Sequence, residues 1–281
     1  MKAADGVRLV ADHYAADAPG SPVLCLPGLT RNARDFSALA AVLSTSDKIG
    51  TRKRVIVLES RGRGRSGWAD ASTYTLLQEL ADLTAALDAW KIERAHFVGT
   101  SRGGLLTMLL AMTAPERILT AVLNDIGPRI EPLGLSRIMS RVGNIMSFAS
   151  FEALAEAIEK TSAKQFTRLE SADYLRLAKQ FASPDKNGGV TLDYDPALAA
   201  PFKDSYSDVE PPDFWPAFEA LCARPVLAIR GAHSDLLSAA TVEGMRRRHC
   251  DLATYVVPGE GHAPLLWDRP STEAVKRFIN R

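Results

Sequence analysis

The chain has 281 residues, 46% of them hydrophobic and 24% charged, the proportions of an ordinary globular protein with a sizeable core. Its formal net charge is +1, so no overall field draws it to nucleic acid or to an anionic membrane, and neither partner is expected. The three cysteines (Cys25, Cys222, Cys250) contain no CxxC pair, the N-terminus lacks the apolar core of a secretion signal, and no run approaches the roughly 18 apolar residues of a membrane span, so a reducing cytoplasm is expected.

Strands and helices alternate through the first half. "VRLVADHYA" (7–15) alternates loosely, as an edge strand does, whereas "PVLCLPG" (22–28) and "RVIVLESRG" (54–62) are short apolar runs of the kind buried in a parallel sheet. Thr75 and Gln78 are spaced as a capping box, and Leu76, Leu80, Leu83, Leu87 and Trp90 then recur on one helix face. "AHFVGTS" (95–101) predicts a third buried strand, "RGGLLTMLLAMTA" (102–114) a helix that is apolar nearly all round, and "ILTAVLNDIG" (118–127) a fourth.

From about Gly127 to Leu221 the strand signal stops. Helical segments follow one another ("EALAEAIEKTSAKQF", "ADYLRLAKQFA", "ALAAPF"), with a proline-rich joint at "VEPPDFWP" (209–216). Strands return at "RPVLAIRGAHS" (224–234) and "ATYVVPGEGH" (253–262), with a helix near Ala240–Arg248 between them and a last one near Ser271–Asn280. The expected architecture is an α/β core of residues 1–126 and 222–281, with one mostly parallel twisted sheet and helices on both faces, interrupted by an all-helical lid at 127–221. The basic clusters "RGRGRS" (61–66) and "MRRRH" (245–249) are too short for a binding groove and read as solvated surface.

The chemistry concentrates at "HFVGTSRGG", where Gly99-Thr100-Ser101-Arg102-Gly103 fits G-x-S-x-G between a strand and a buried helix. A serine hydroxyl attacks well only when it projects from a sharp turn, and such a turn needs small neighbours. The serine needs a base and a group to orient it. His96 lies in a strand, His13 in the edge strand, and His249 after an arginine-rich helix end, where it reads as surface. His233 reads as a loop support, leaving His262, on the glycine-flexed loop "PGEGHAP", as the base. Asp235, after the strand "PVLAIRG", is the preferred acid, and Asp125, ending "LNDIGP", is the alternative; both keep the order Ser, Asp, His. The oxyanion donors are expected to be the backbone N–H groups of Arg102, at the start of the helix, and of Leu29, in the loop after "LCLPG", since Pro27 has none.

Together these stretches resemble the α/β-hydrolase superfamily nearly end to end. "LPGLTRN" resembles its oxyanion loop, with Pro27-Gly28 where many members have His-Gly. "ESRGRGRS" resembles the D-x-R-G-x-G-x-S loop with Glu59 for the usual Asp; "GTSRGG" resembles the nucleophile elbow, "RGAHSD" the acid loop and "GEGHAP" the histidine loop. The resemblance implies a lidded serine hydrolase. Ser101 sets the chain apart from haloalkane dehalogenases and epoxide hydrolases, which carry aspartate at that position. Carboxylesterases, thioesterases, lactonases and meta-cleavage-type carbon–carbon hydrolases remain, although Arg102 replaces the apolar residue common in the last group.

The resulting expectation is a serine-dependent hydrolase, with no cofactor and no metal, acting on an ester, thioester or lactone of a small, largely apolar substrate. Its alternatives are a carbon–carbon hydrolase and, from another class, a non-catalytic small-molecule-binding protein or a cofactor-free lyase or oxygenase on the same fold. Met139, Met146, Phe148, Phe151, Phe166, Phe181, Phe214, Trp215 and Phe218 could line an apolar pocket, although helix packing alone would bury them. Arg102, Arg137 and Arg141 could hold a substrate carboxylate. A solvated role is expected for Arg137 and Arg141, and a pairing of Arg102 with an acid such as Glu59.

Overall fold

The computed structural model describes residues 1–144, 146–200 and 212–281. Apolar runs with alternating side chains make the sheet: β1 (Val10–Tyr14), β2 (Val23–Leu26), β3 (Val55–Glu59), β4 (Ala95–Thr100) and β5 (Ile118–Asn124). In β2 and β3 every residue is buried, because both faces are covered, whereas β1 is partly exposed, as an edge strand is. After the inserted strands β6 (Ser147–Phe148), β7 (Ala182–Pro184) and β8 (Val190–Leu192), the sheet resumes with β9 (Val226–Gly231) and β10 (Leu252–Val257). The order is β1-β3-β2-β4-β5-β9-β10, with β1 antiparallel to β3 and the other pairs parallel.

Helices cover both faces: α1 (Ser37–Leu43), α2 (Leu76–Ala89), α3 (Arg102–Thr113), then α4 (Pro132–Met139), α5 (Phe151–Ser162) and α6 (Ser171–Phe181) in the lid, then α7 (Trp215–Glu219), α8 (Ala239–Arg248) and α9 (Arg269–Ile279). The period of two along a strand divides the core. Leu24, Leu26, Ile56 and Leu58 pack with α2, α3 and α7, while Val23, Cys25, Val55 and Val57 pack with α1 and α9. From β2 the chain crosses to β3 on one side, then returns past β2 to β4 on the other. The loops after β2 and β4 therefore part at their carboxyl ends, and a crevice opens there.

Several expectations are corrected in detail. The segment 127–221, expected to be an all-helical lid, is not all-helical: β6, β8 and β7 form a three-stranded antiparallel sheet. These strands are too short to carry a periodic signal; their hairpin is closed by Asp185, which accepts from the backbone of Asn187 and Gly189 at 2.7 and 2.9 Å. "ALAAPF" begins as a 3-10 turn over Pro196–Ala199, and Pro201 and Phe202, like the start of "VEPPDFWP", lie outside the described residues. Thr75 caps α2 by accepting from the Gln78 backbone at 3.2 Å, but the Gln78 side chain reaches forward to Asp82, so only half of the capping box forms. His249 is buried, not at the surface: its ring packs against Phe218 and Nε2 meets the Leu221 carbonyl.

The "RGRGRS" cluster also departs from the surface reading. Arg61 and Arg63 are fully buried, because α2 offers carboxylates one turn apart to receive them. Arg61 grips Asp82 through two bonds of 2.7 Å, and Arg63 donates to Glu79 at 2.9 Å. Among the described residues, no helix is long and apolar enough to cross a membrane.

Candidate active site

Ser101 stands between β4 and α3 with φ 51° and ψ −114°, a left-handed backbone that a non-glycine residue adopts only when its surroundings enforce it. The glycines are required by contact: a Cβ on Gly99 would lie 2.4 Å from the Gly103 backbone, and one on Gly103 would lie 2.0 Å from the Leu26 carbonyl oxygen. The elbow is pinned from β5, where the Asn124 carbonyl accepts the Ser101 N–H at 3.0 Å. The Asn124 side-chain amide donates to the Pro264 carbonyl at 2.9 Å, tying the histidine loop to the same strand end.

His262 is brought to the serine from the loop after β10. The Ser101 hydroxyl donates to Nε2 at 3.0 Å, and Nδ1 donates to Asp125 Oδ2 at 2.8 Å. Asp125 follows β5, is fully buried and has φ 55°. Its carboxylate also accepts from the Gly231 N–H at 2.7 Å and from the Ser234 hydroxyl at 2.6 Å. These hydrogen bonds compensate the carboxylate for its loss of water.

Asp235, the preferred acid on sequence grounds, does not hold the imidazole. It receives Arg137 of α4 through bonds of 2.6 and 2.9 Å. Burial would raise the Asp235 carboxyl, but Arg137 outweighs it and keeps the group below its ordinary value. The reason is positional. β5 is the immediate neighbour of β4 and β9 lies one strand further out, so the β5 loop reaches the histidine first. The β9 loop contributes Ser234 as a support for Asp125.

The two residues expected to supply oxyanion donors both lie near Ser101. Arg102 begins α3 directly after Ser101, and Leu29 shares a cavity wall with Ser101. A Cβ built on Gly28 would lie 3.8 Å from Ser101 Cβ, so this backbone runs close to Ser101. A buried network that the sequence reading missed fixes both peptides. The Arg102 guanidinium pairs with Glu79, not Glu59, through contacts of 2.9–3.1 Å. Arg63, on the other side of Glu79, donates through Nε to the Leu29 carbonyl at 2.7 Å. Burial would raise the Glu79 carboxyl, but Arg102 and then Arg63 outweigh it and hold it below the usual range. Glu59 instead accepts from the Ala33 and Arg65 backbones at 3.1 and 2.9 Å and shapes the glycine-rich loop. The available signal was spacing: arginines two apart in the loop face Glu79 and Asp82 three apart on α2.

Above Ser101 lies a cavity of about 510 Å³. Gly28, Leu29, Ser101 and His262 line its floor, and Phe148, Phe166 and Phe181 line its lid side. Phe214 and Phe218, which sequence alone could place in the pocket, pack in the core under α3 instead. No group of three or more His, Cys, Asp or Glu among the described residues could hold a metal ion.

Comparison with known proteins identifies the family of this fold. A profile of the alpha/beta hydrolase fold matches residues 21–269. The chain is 34% identical to the 3-hydroxybutyrate-oligomer hydrolase of Cupriavidus necator over 98% of its own length and 94% of that protein's. It is 28% identical to the 2-(acetamidomethylene)succinate hydrolase of Mesorhizobium japonicum over 86% of the chain and 82% of that protein. The crystal structure of an alpha/beta hydrolase from Novosphingobium aromaticivorans superposes with a TM-score of 0.91 at 42% identity, covering 99% of this chain and 96% of that one. The chain therefore belongs to the α/β-hydrolase family and is a hydrolase of that family.

Proposed function

We propose that the chain is a serine hydrolase that cleaves carboxylic esters of small, largely apolar substrates through an acyl-enzyme. The observation that carries this reading is the continuous relay from Asp125 through His262 to the Ser101 hydroxyl, with links of 2.8 and 3.0 Å. His262 Nε2 takes the proton as Ser101 Oγ attacks the carbonyl carbon. Asp125 fixes the tautomer with the proton on Nδ1 and stabilises the imidazolium that forms. The oxyanion is received by the backbone N–H groups of Arg102 and Leu29, and the α3 N-terminus adds a favourable field. His262 then protonates the leaving alcohol. A water deprotonated by the same nitrogen attacks the acyl-enzyme, and collapse of the second tetrahedral intermediate releases the acid and regenerates Ser101.

The likeness to a 3-hydroxybutyrate-oligomer hydrolase supports an ester over a carbon–carbon bond, since such oligomers are joined by ester linkages. Turnover of p-nitrophenyl esters of graded chain length, with Ser101→Ala as the blank and a fluorophosphonate as the label, tests the reading. Labelling at Ser101 and loss of turnover in the variant are expected. Undiminished turnover in Ser101→Ala would end it.

A further inference from the structure

The cavity is mainly apolar, yet three arginines line it, Arg31, Arg137 and Arg141. Two of them are already satisfied. Arg31 is chelated by Asp35 and lies over the Phe181 ring, 3.1 Å from its centroid. Arg137 is held in two bonds by Asp235. Arg141 sits one helical turn beyond Arg137, exposed just past the end of α4, where its backbone N–H donates to the Ile138 carbonyl at 3.0 Å. Its guanidinium donates to a neutral acceptor, the Thr161 carbonyl at 3.1 Å, and no carboxylate among the described residues pairs with it.

Asp235 is bonded to Arg137 and makes no ion pair with Arg141, so Arg141 has no carboxylate of its own among the described residues. Burial lowers the Arg141 pKa, Arg137 lowers it further, and Asp235 opposes both only in part. An incoming anion would offset both unfavourable influences. The planar fork of arginine suits a carboxylate, which it binds through two parallel hydrogen bonds. The lid thus presents an unmatched cation on a cavity whose floor carries the nucleophile.

We propose that Arg141 anchors a carboxylate of the substrate, so that the preferred esters are those of hydroxy acids with an ionised acid end and not neutral esters. The inference rests on the serine-hydrolase reading for its meaning, but a binding measurement tests it separately. The probes are 3-(butanoyloxy)butanoate and its methyl ester, which share one internal ester and differ in the carboxylate charge. Calorimetric binding to the Ser101→Ala protein should favour the acid by about tenfold or more. In Ser101→Ala/Arg141→Gln that preference should collapse to near unity. Ser101→Ala/Arg277→Gln, which removes the same charge from exposed α9, should keep it.

In the catalytically intact protein, the KM ratio of the two esters should change with Arg141→Gln in the same sense. No preference for the acid in the Ser101→Ala protein, or a preference that survives Arg141→Gln, overturns the anchor. If neither ester is hydrolysed by the intact protein, the hydrolase reading fails, and the calorimetric comparison still decides whether Arg141 binds the carboxylate.

Discussion

Asp125 Oδ2 lies 2.8 Å from His262 Nδ1, and the carboxylate that sequence order favoured, Asp235, is bound to Arg137 instead. The two aspartates therefore have separable phenotypes. Asp125→Asn should lower kcat about 10⁴-fold, because the amide cannot fix the imidazole with its proton on Nδ1. Asp235→Asn should act mainly on KM and leave kcat within about tenfold, since it loosens α4 and not the relay. Steady-state kinetics of both variants decides the assignment; a deeper kcat loss in Asp235→Asn would reverse it.

Glu79 is nearly inaccessible and stands between Arg63 and Arg102. Removing its charge leaves two buried guanidinium groups facing each other, so Glu79→Gln should cost about 3–5 kcal/mol of stability. Arg102→Met should cost less, because Arg63 still pairs with Glu79. Urea denaturation of the two variants orders them. Equal costs would mean that Arg63 does not share the carboxylate.

Gly103 allows α3 to start against β2. In Gly103→Ala the new methyl would lie 2.0 Å from the Leu26 carbonyl, an overlap that forces the backbone apart. The expected cost is about 1–3 kcal/mol, accompanied by a fall in kcat as Ser101 is displaced. Thermal melting and esterase assays on the same sample provide both values.

The Glu260 carboxyl, two residues before His262, is pushed up to about 7, chiefly by burial, with the Leu265 N–H partly opposing it. The folded state then holds a proton that the unfolded chain releases near its ordinary 4.5. Stability from this group is unaffected below about pH 4.5 and falls as pH rises toward 7, where the loss levels off. Glu260→Gln should match the wild type at pH 4 and exceed it by about 2 kcal/mol at pH 8. Chemical denaturation at both pH values tests this, and a constant difference between the proteins would contradict it.

The core was legible because its signals are local. The apolar runs of β2 to β5, β9 and β10 each ended at a turn residue, and the glycines around Ser101 announced the elbow before any partner was known. The acid was not legible, since Asp125 and Asp235 both follow strands and only the lateral order of β5 and β9 separates them. Lateral order is a property of the assembled sheet. The burial of Arg61 and Arg63 was hidden for a related reason: a charged run reads as solvated until the helix carrying its counter-ions is packed against it. Short lid strands and the brief helices α1, α4 and α7 left no period to detect.

The pairing of Asp235 with Arg137 has a consequence for how this protein can change. The contact that fastens the roof of the pocket to the scaffold draws on a different carboxylate from the one that tunes the imidazole. A Cβ on Gly134 of α4 would lie 2.5 Å from the Asp235 carbonyl, so roof and scaffold meet there backbone to backbone. Under the proposed serine-hydrolase reading, altering that seam would reshape what is admitted without retuning the proton relay. Selectivity and reactivity can be inherited, or engineered, as independent modules.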